Sequence, residues 1–314
     1  MRHERGMLVA APERWDEVCF AVPALRALVA SGLGVGILCP AAQRAFWETI
    51  DGLEVIDFPM KAKAKAIAAE IRGHWQAALA WDEGLAAEVF QIANIERRLG
   101  YSEGRLKKRL THPLNIVLGP LEHRVRFYLA AVEALGVETV KPEFFLPFSP
   151  GANVASGAIL LCPDSDFGQS YQWPVERWVE IGERLLENNR QVAVASIGEG
   201  QLLGKILVER LGRAIELRHI PSLGNALPML TAQGLIIAAD GSLAHLASHA
   251  GATCVVLFGP NDPAWKRPLG KRHTIVRQHA ECAPCLMPEC LLDHRCQYEF
   301  GVERVWQAIL EKWA

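Results

Sequence analysis

Short, wholly apolar runs recur along this chain, and each is followed by a stretch with helical spacing. MLVAA (7–11) precedes the segment 16–31, where Val18, Val22, Leu25, Leu28 and Val29 share one helical face. Gly32 and Gly34 end that helix, and VGILCP (35–40) is the next run. LEVIDFP (53–59), helical KAKAKAIAAEIRG (61–73), the strand AALAWD (77–82) and an amphipathic helix over 124–135 continue the series. A second series follows: AILLCP (158–163), a helix over 174–187 opened by Pro174, VAVAS (192–196), a helix over 200–211, LIIAA (235–239), CVVLF (254–258) and a helix over 302–313. Such alternation constrains the chain to an α/β fold with parallel sheets, because a strand buried under helices on both faces loses its polar positions. Between the two series, FFLPFSPGANVASG (144–157) is rich in Pro, Gly, Ser and Asn. The expected organisation is a first domain over 1–147, a linker over 148–157, a second domain over 158–301 and a final helix over 302–314. Two open α/β domains joined in this way imply an interdomain cleft, the usual place for a ligand.

Composition agrees with two cores: half of the 314 residues are apolar. The net charge of -2 gives no general affinity for nucleic acid. No apolar run approaches the roughly 20 residues a bilayer requires. In MRHERGMLVAAPERWDEV the acids Glu13, Asp16 and Glu17 leave no room for a signal-peptide core, so a cytoplasmic protein is expected. Cys19, Cys39, Cys162 and Cys254 lie singly in apolar surroundings and read as small core residues.

The two apolar runs LIIAA and CVVLF are separated by DGSLAHLASHAGAT. Asp240 falls at the carboxyl end of a buried strand, where open α/β sheets bind ligands. Gly241, Ser242 and Leu243 then open a helix whose first amides lack intrahelical partners and suit a phosphate, with His245 close behind. Helix capping by Asp240 or Ser242 alone is the simpler role for the same residues. A second loop of the same kind, PDSDFGQSYQWP (163–174), offers Ser165, Gly168, Gln169 and Ser170 as donors. A third, SIGEG (196–200), offers Glu199 to ribose hydroxyls. Three such loops in one domain point to a bound nucleoside diphosphate.

WPVERWVEIGERLL (173–186), DGSLAHLASHAGATCVVLFGPNDP (240–263), HRVRFYLAAVEALG (123–136), RRLGYSEGR (97–105) and CAPCLMPEC (282–290) together resemble glycosyltransferase family 9, the ADP-heptose:lipopolysaccharide heptosyltransferases. The resemblance implies a GT-B fold of two Rossmann-like domains, the final helix crossing back to the first. It also implies inverting, metal-independent transfer of heptose from ADP-heptose to a lipopolysaccharide-core or other glycan acceptor. Such a reaction requires a carboxylate to accept the proton of the acceptor hydroxyl. The family carries a Gly-Asp pair six residues before a Pro-x-Leu turn, and counting back from Pro23 puts Glu17 at the aspartate, with Asp16 beside it as the substitute. Both also suit a helix first turn for the dipole alone. Where the family places a lysine two residues before Trp-Pro, this chain has Tyr171, which brings no positive charge to a leaving diphosphate. Lys266, Arg267 or Lys271 are the candidate compensating cations, and the family's Asp-Ser/Thr-Gly is permuted to Asp240-Gly241-Ser242. These departures motivate an alternative: a degenerate member that binds nucleotide sugar or glycan without efficient transfer. A GT-B sugar-nucleotide epimerase ranks last, for want of a motif.

Cys282, Cys285, Cys290 and Cys296 crowd into fifteen residues with spacing C-x2-C-x4-C-x5-C. Four thiolates on a short loop suit a structural zinc or iron, with His294 able to replace one; a reduced, metal-free loop is the other possibility. The family acceptor is an anionic glycolipid, and Lys61, Lys63, Lys65, Arg97, Arg98, Arg105, Lys107, Lys108 and Arg109 are candidates for peripheral contact with the inner membrane. A solvated helix face explains the lysines over 61–65 as well.

Overall fold

The computed structural model describes residues 6–151, 158–197, 203–212 and 215–313. The chain divides into two compact units, Met1–Phe145 and Leu146–Ala314.

In the first unit, strands β1 (Met7–Ala10), β2 (Val35–Pro40), β3 (Leu53–Phe58), β4 (Ala77–Ala80), β5 (Arg97–Tyr101) and β6 (His112–Leu114) form one sheet in the order β3-β2-β1-β4-β5-β6. Every pairing is parallel. The central strands are buried throughout, as expected where helices cover both faces. Gly36 in β2 is required by packing: a Cβ there would lie 2.4 Å from the Trp75 ring, which fills its place. Helix Trp15–Ala30 buries nearly its whole length and packs against helix Val125–Glu133. The helix expected over 61–73 is shorter, Ala64–Ile71, because the chain turns at Pro59, whose carbonyl accepts from the Ala62 amide at 2.9 Å.

The second unit repeats the plan. Strands β7 (Ile159–Cys162), β8 (Val192–Ile197), β9 (Glu216–Ile220), β10 (Leu235–Ala239), β11 (Thr253–Phe258) and β12 (His273–Arg277) order as β12-β11-β10-β7-β8-β9, again all parallel. Ile159 and Leu161 of β7, Ile237 of β10 and Val255 and Leu257 of β11 meet Trp173 and, from helix Val175–Glu187, Trp178, Ile181 and Leu185. The final helix, Val302–Trp313, expected to cross back to the first domain, contributes Val302, Val305, Ala308 and Ile309 to this core. The helix expected over 200–211 is described from Leu203 to Leu211.

Each sheet reverses its winding direction once, between β1 and β4 and between β7 and β10. The carboxyl ends of those strand pairs are the switch points at which open α/β sheets bind ligands. Residues after β1 and β7 therefore hold the positions of interest. Among the described residues no helix is long and apolar enough to cross a membrane.

Candidate functional site

At the second switch point the loops after β7 and β10 converge. Asp240 follows β10 directly and is fully buried; its Oδ2 accepts from Asn261 Nδ2 at 3.0 Å, and its carbonyl accepts from Ser165 Oγ at 2.6 Å. Gly241 caps the helix Ser242–His249 without a side chain, and a Cβ there would come within 3.1 Å of both Ser165 Oγ and Asp166 Oδ1. The glycine thus lets the β7 loop lie directly on the helix start. The Ser242 amide donates to Asp166 Oδ1 at 2.8 Å, so an aspartate 76 residues away sits where a ligand phosphate was expected. Ser242 Oγ is buried and has no hydrogen-bond partner among the described residues. The Leu243 side chain joins the interior, and His245, 1% exposed, faces Phe167 with ring centroids 6.5 Å apart.

The loop over 163–171 splits its candidate donors between two tasks. Ser165 holds the β10 end, whereas Ser170 turns to the cysteine-rich segment: its amide donates to Pro288 O at 3.1 Å and its hydroxyl to Met287 O. Gly168 has φ +126°, a conformation suited to glycine, and a Cβ would collide with the Pro288 backbone. Gln169 is exposed and available to a ligand. Tyr171 is buried, with the Phe167 ring edge-on at 5.4 Å. Asp164 is 4% exposed, and burial pushes its carboxyl up to about 6, while the amides of Gly204 and Leu203 pull the other way. Glu199 lies outside the described residues. Asp164, Asp166 and Asn261 were not singled out from the sequence; the paired acids flanking Ser165 in PDSD were the available signal. Lys266 closes the short helix Pro263–Lys266, which Asp262 caps through the Ala264 amide at 2.8 Å, and Arg267 follows it.

At the first switch point, Asp16 and Glu17 open helix Trp15–Ala30 as expected from the sequence, and each meets an arginine. Arg14 reaches both Asp16 oxygens at 3.1 Å. Arg124 Nε lies 3.0 and 2.8 Å from the two Glu17 oxygens, and Tyr128 Oη donates to Glu17 Oε2 at 2.7 Å. Burial, and then the Glu17 charge, push the Tyr128 phenol well above its ordinary value. The Arg124 guanidinium also stacks on Phe127 at 3.9 Å.

The cysteine-rich segment is pinned by Ser170 and by Pro260, whose carbonyl accepts from the Cys285 and Leu286 amides at 3.0 and 3.1 Å. Cys282 and Cys285 are exposed, Cys290 half-buried and Cys296 buried. Burial raises the Cys296 thiol to about 11, helped by the charges of Cys282, Cys285 and Cys290. His294 Nε2 lies 2.7 Å from Ser170 O, which leaves Nδ1 as the ring nitrogen for the substitute-ligand role expected of it. The donor set has the softness that zinc or iron selects. Among the described residues, however, no three His, Cys, Asp or Glu side chains are arranged as a ligand set. Cys19, Cys39, Cys162 and Cys254 are buried core thiols, as expected.

The family profile "Glycosyltransferase family 9 (heptosyltransferase)" matches residues 127–295, more than half of the chain. Lipooligosaccharide heptosyltransferase 2 of Haemophilus influenzae is 23% identical over 121 residues, 37% of this chain and 35% of that protein. Lipopolysaccharide heptosyltransferase 1 of Pseudomonas aeruginosa is 30% identical over 120 residues, 38% of this chain and 33% of that protein. The chain thus spans about a third of the length of the curated relatives it matches. A glycosyl transferase family 9 structure from Veillonella parvula has a TM-score of 0.84 at 15% identity, covering 100% of this chain and 98% of that one. At such identity the likeness concerns fold, and it agrees with the GT-B architecture of two Rossmann-like units.

Proposed function

Because this chain belongs to glycosyltransferase family 9, we propose that it transfers heptose, or a related sugar, from ADP-heptose to a lipopolysaccharide-core or other glycan acceptor. The observation that carries the proposal is the convergence of the loops 163–171 and 240–245 at the carboxyl ends of β7 and β10. In an inverting transfer the acceptor hydroxyl oxygen attacks the anomeric carbon while its proton passes to a carboxylate. The bond from that carbon to the diphosphate breaks on the opposite face, and ADP leaves with the electron pair. We assign the carboxylate to Glu17, with Asp16 as the substitute, and donor binding to Asp240, the Ser242–His249 helix start and Gln169. Arg124 and Tyr128 hold the Glu17 carboxylate in place through these hydrogen bonds. Tyr171 supplies no charge to the leaving diphosphate, so Lys266, Arg267 or Lys271 is assigned that task.

Calorimetric titration with ADP, UDP and GDP, without divalent metal and with an Asp240→Ala control, tests donor binding. Selective ADP binding lost in the variant supports the proposal; no binding of any of the three opposes it. Transfer from ADP-heptose in the presence of EDTA then separates an active enzyme from a degenerate one. Tyr171→Lys is expected to raise transfer only in the former.

Two further assignments belong with this proposal. A zinc or iron ion held by Cys282, Cys285, Cys290 and Cys296 would be structural, and metal analysis of the purified protein beside a Cys282→Ser variant tests it. Lys61, Lys63, Lys65, Arg105, Lys107 and Lys108 are exposed and suit an anionic membrane surface, whereas Arg98 is spent on the Arg109 and Ile95 carbonyls. Co-sedimentation with anionic vesicles tests that contact.

A further inference from the structure

The start of helix Ser242–His249 already carries an anion. Gly241 brings no side-chain oxygen to this position, and Asp166 supplies one from the β7 loop, accepting the Ser242 amide at 2.8 Å. Helix starts attract negative charge because their first amides lack partners and hold the positive end of the dipole. A carboxylate and a ligand phosphate cannot both occupy that place. Two observations mark it as a ligand position and not only a cap. Ser242 Oγ, at the same helix start, is buried and has no hydrogen-bond partner among the described residues. Asp166 is exposed, so its carboxylate can swing into solvent without losing packing, unlike buried Asp164 and Asp240 on either side.

We propose that Asp166 is an internal stand-in for the donor's phosphate, holding the helix start in the unliganded protein and leaving it when an anionic ligand arrives. The inference rests on the donor-site assignment made above. Its consequence is a substitution that improves binding. Removing the Asp166 charge weakens the competition for the Ser242 amide and abolishes the repulsion between carboxylate and phosphate. Ordinary contact residues behave in the opposite way.

The test titrates inorganic pyrophosphate and ADP into the full chain and its D166N and D166K variants, with a thermal melt of each to establish folding. D166N is expected to bind both ligands about tenfold tighter than the parent, the order set by a charged group at a helix start together with a like charge nearby. D166K, at an exposed position that tolerates the longer side chain, is expected to bind pyrophosphate tighter still. Tighter pyrophosphate with no ADP binding supports the role of Asp166 and counts against an adenine nucleotide donor. Equal ADP affinity in parent and variants overturns the inference and leaves the donor assignment standing. Weaker binding in the variants, or binding of neither ligand by any of the proteins, overturns it too, and the latter result removes the donor assignment with it.

Discussion

Asp164→Asn is expected to stabilise the protein above about pH 5, and most at neutral and alkaline pH. Asp164 is 4% exposed at the end of β7, and burial lifts its carboxyl from 3.8 to about 6 despite the neighbouring Gly204 and Leu203 amides. The folded state therefore holds this proton more tightly than the unfolded chain does. Its contribution to stability is fully present below about pH 4 and is lost as pH rises through about 6. At 1.36 kcal/mol per pH unit, the interval corresponds to about 3 kcal/mol of unfavourable ionisation at pH 8. Asparagine has the same shape, keeps one oxygen for the amides and carries no charge. The amide nitrogen it introduces must find a place beside those donors, so about 2 kcal/mol is the expected gain at pH 8. Urea unfolding of parent and variant between pH 4.5 and 8, followed by tryptophan fluorescence, gives the difference. It should be largest at pH 8 and shrink toward zero near pH 4.5. A variant less stable than the parent at pH 8, or a difference that does not change with pH, would mean that the amides stabilise the ionised carboxylate more than burial opposes it.

Three other outcomes follow from contacts already described. Arg124→Ala should destabilise the first unit by roughly 2 kcal/mol, because it strips charge-assisted hydrogen bonds from a mostly buried Glu17; a double-mutant cycle with Glu17→Gln should recover at least half of that as coupling. Gly168→Ala combines φ +126° with a collision against Pro288, and roughly 2–3 kcal/mol of lost stability is expected. Hydrogen exchange over residues 282–296 should rise in that variant if Gly168 is what admits the cysteine-rich segment. Asn261→Ala leaves Asp240 Oδ2 without its described side-chain donor and should lower stability by about 1–2 kcal/mol, measured by urea midpoint, while weakening ADP binding by calorimetry.

The strands most visible in the sequence were those covered on both faces: VGILCP, LIIAA and CVVLF leave no polar position, and the structure gives them as β2, β10 and most of β11. RRLGY resisted such recognition because its first two residues are arginines outside the buried stretch, although Leu99 to Tyr101 are buried in β5. Helix Leu85–Ile92 lies within GLAAEVFQI, whose short length gives periodicity too little to repeat. At the donor loops the residue types were legible and their partners were not. Ser165 and Ser170 look equivalent in PDSDFGQSYQWP, yet one holds the β10 carbonyl and the other the cysteine-rich segment. Nor does local spacing disclose that Glu17 meets Arg124, since 107 positions separate them.

The ties that shape the loop over 163–171 bear on the order in which the protein can mature. Asp166 reaches Ser242 across 76 residues, Ser170 reaches Met287 across 117, and His294 comes back to Ser170 across 124. Contacts of such separation bear a large loop-closure entropy and form only once the intervening elements have docked. During synthesis, the strands β7 and β8 can pair while the chain is still being made, but the loop after β7 cannot complete its contacts until residues near 294 have emerged. The donor loop is thus among the last parts of the molecule to acquire its full shape, and a chain interrupted within the cysteine-rich segment would lack the tie that His294 gives Ser170.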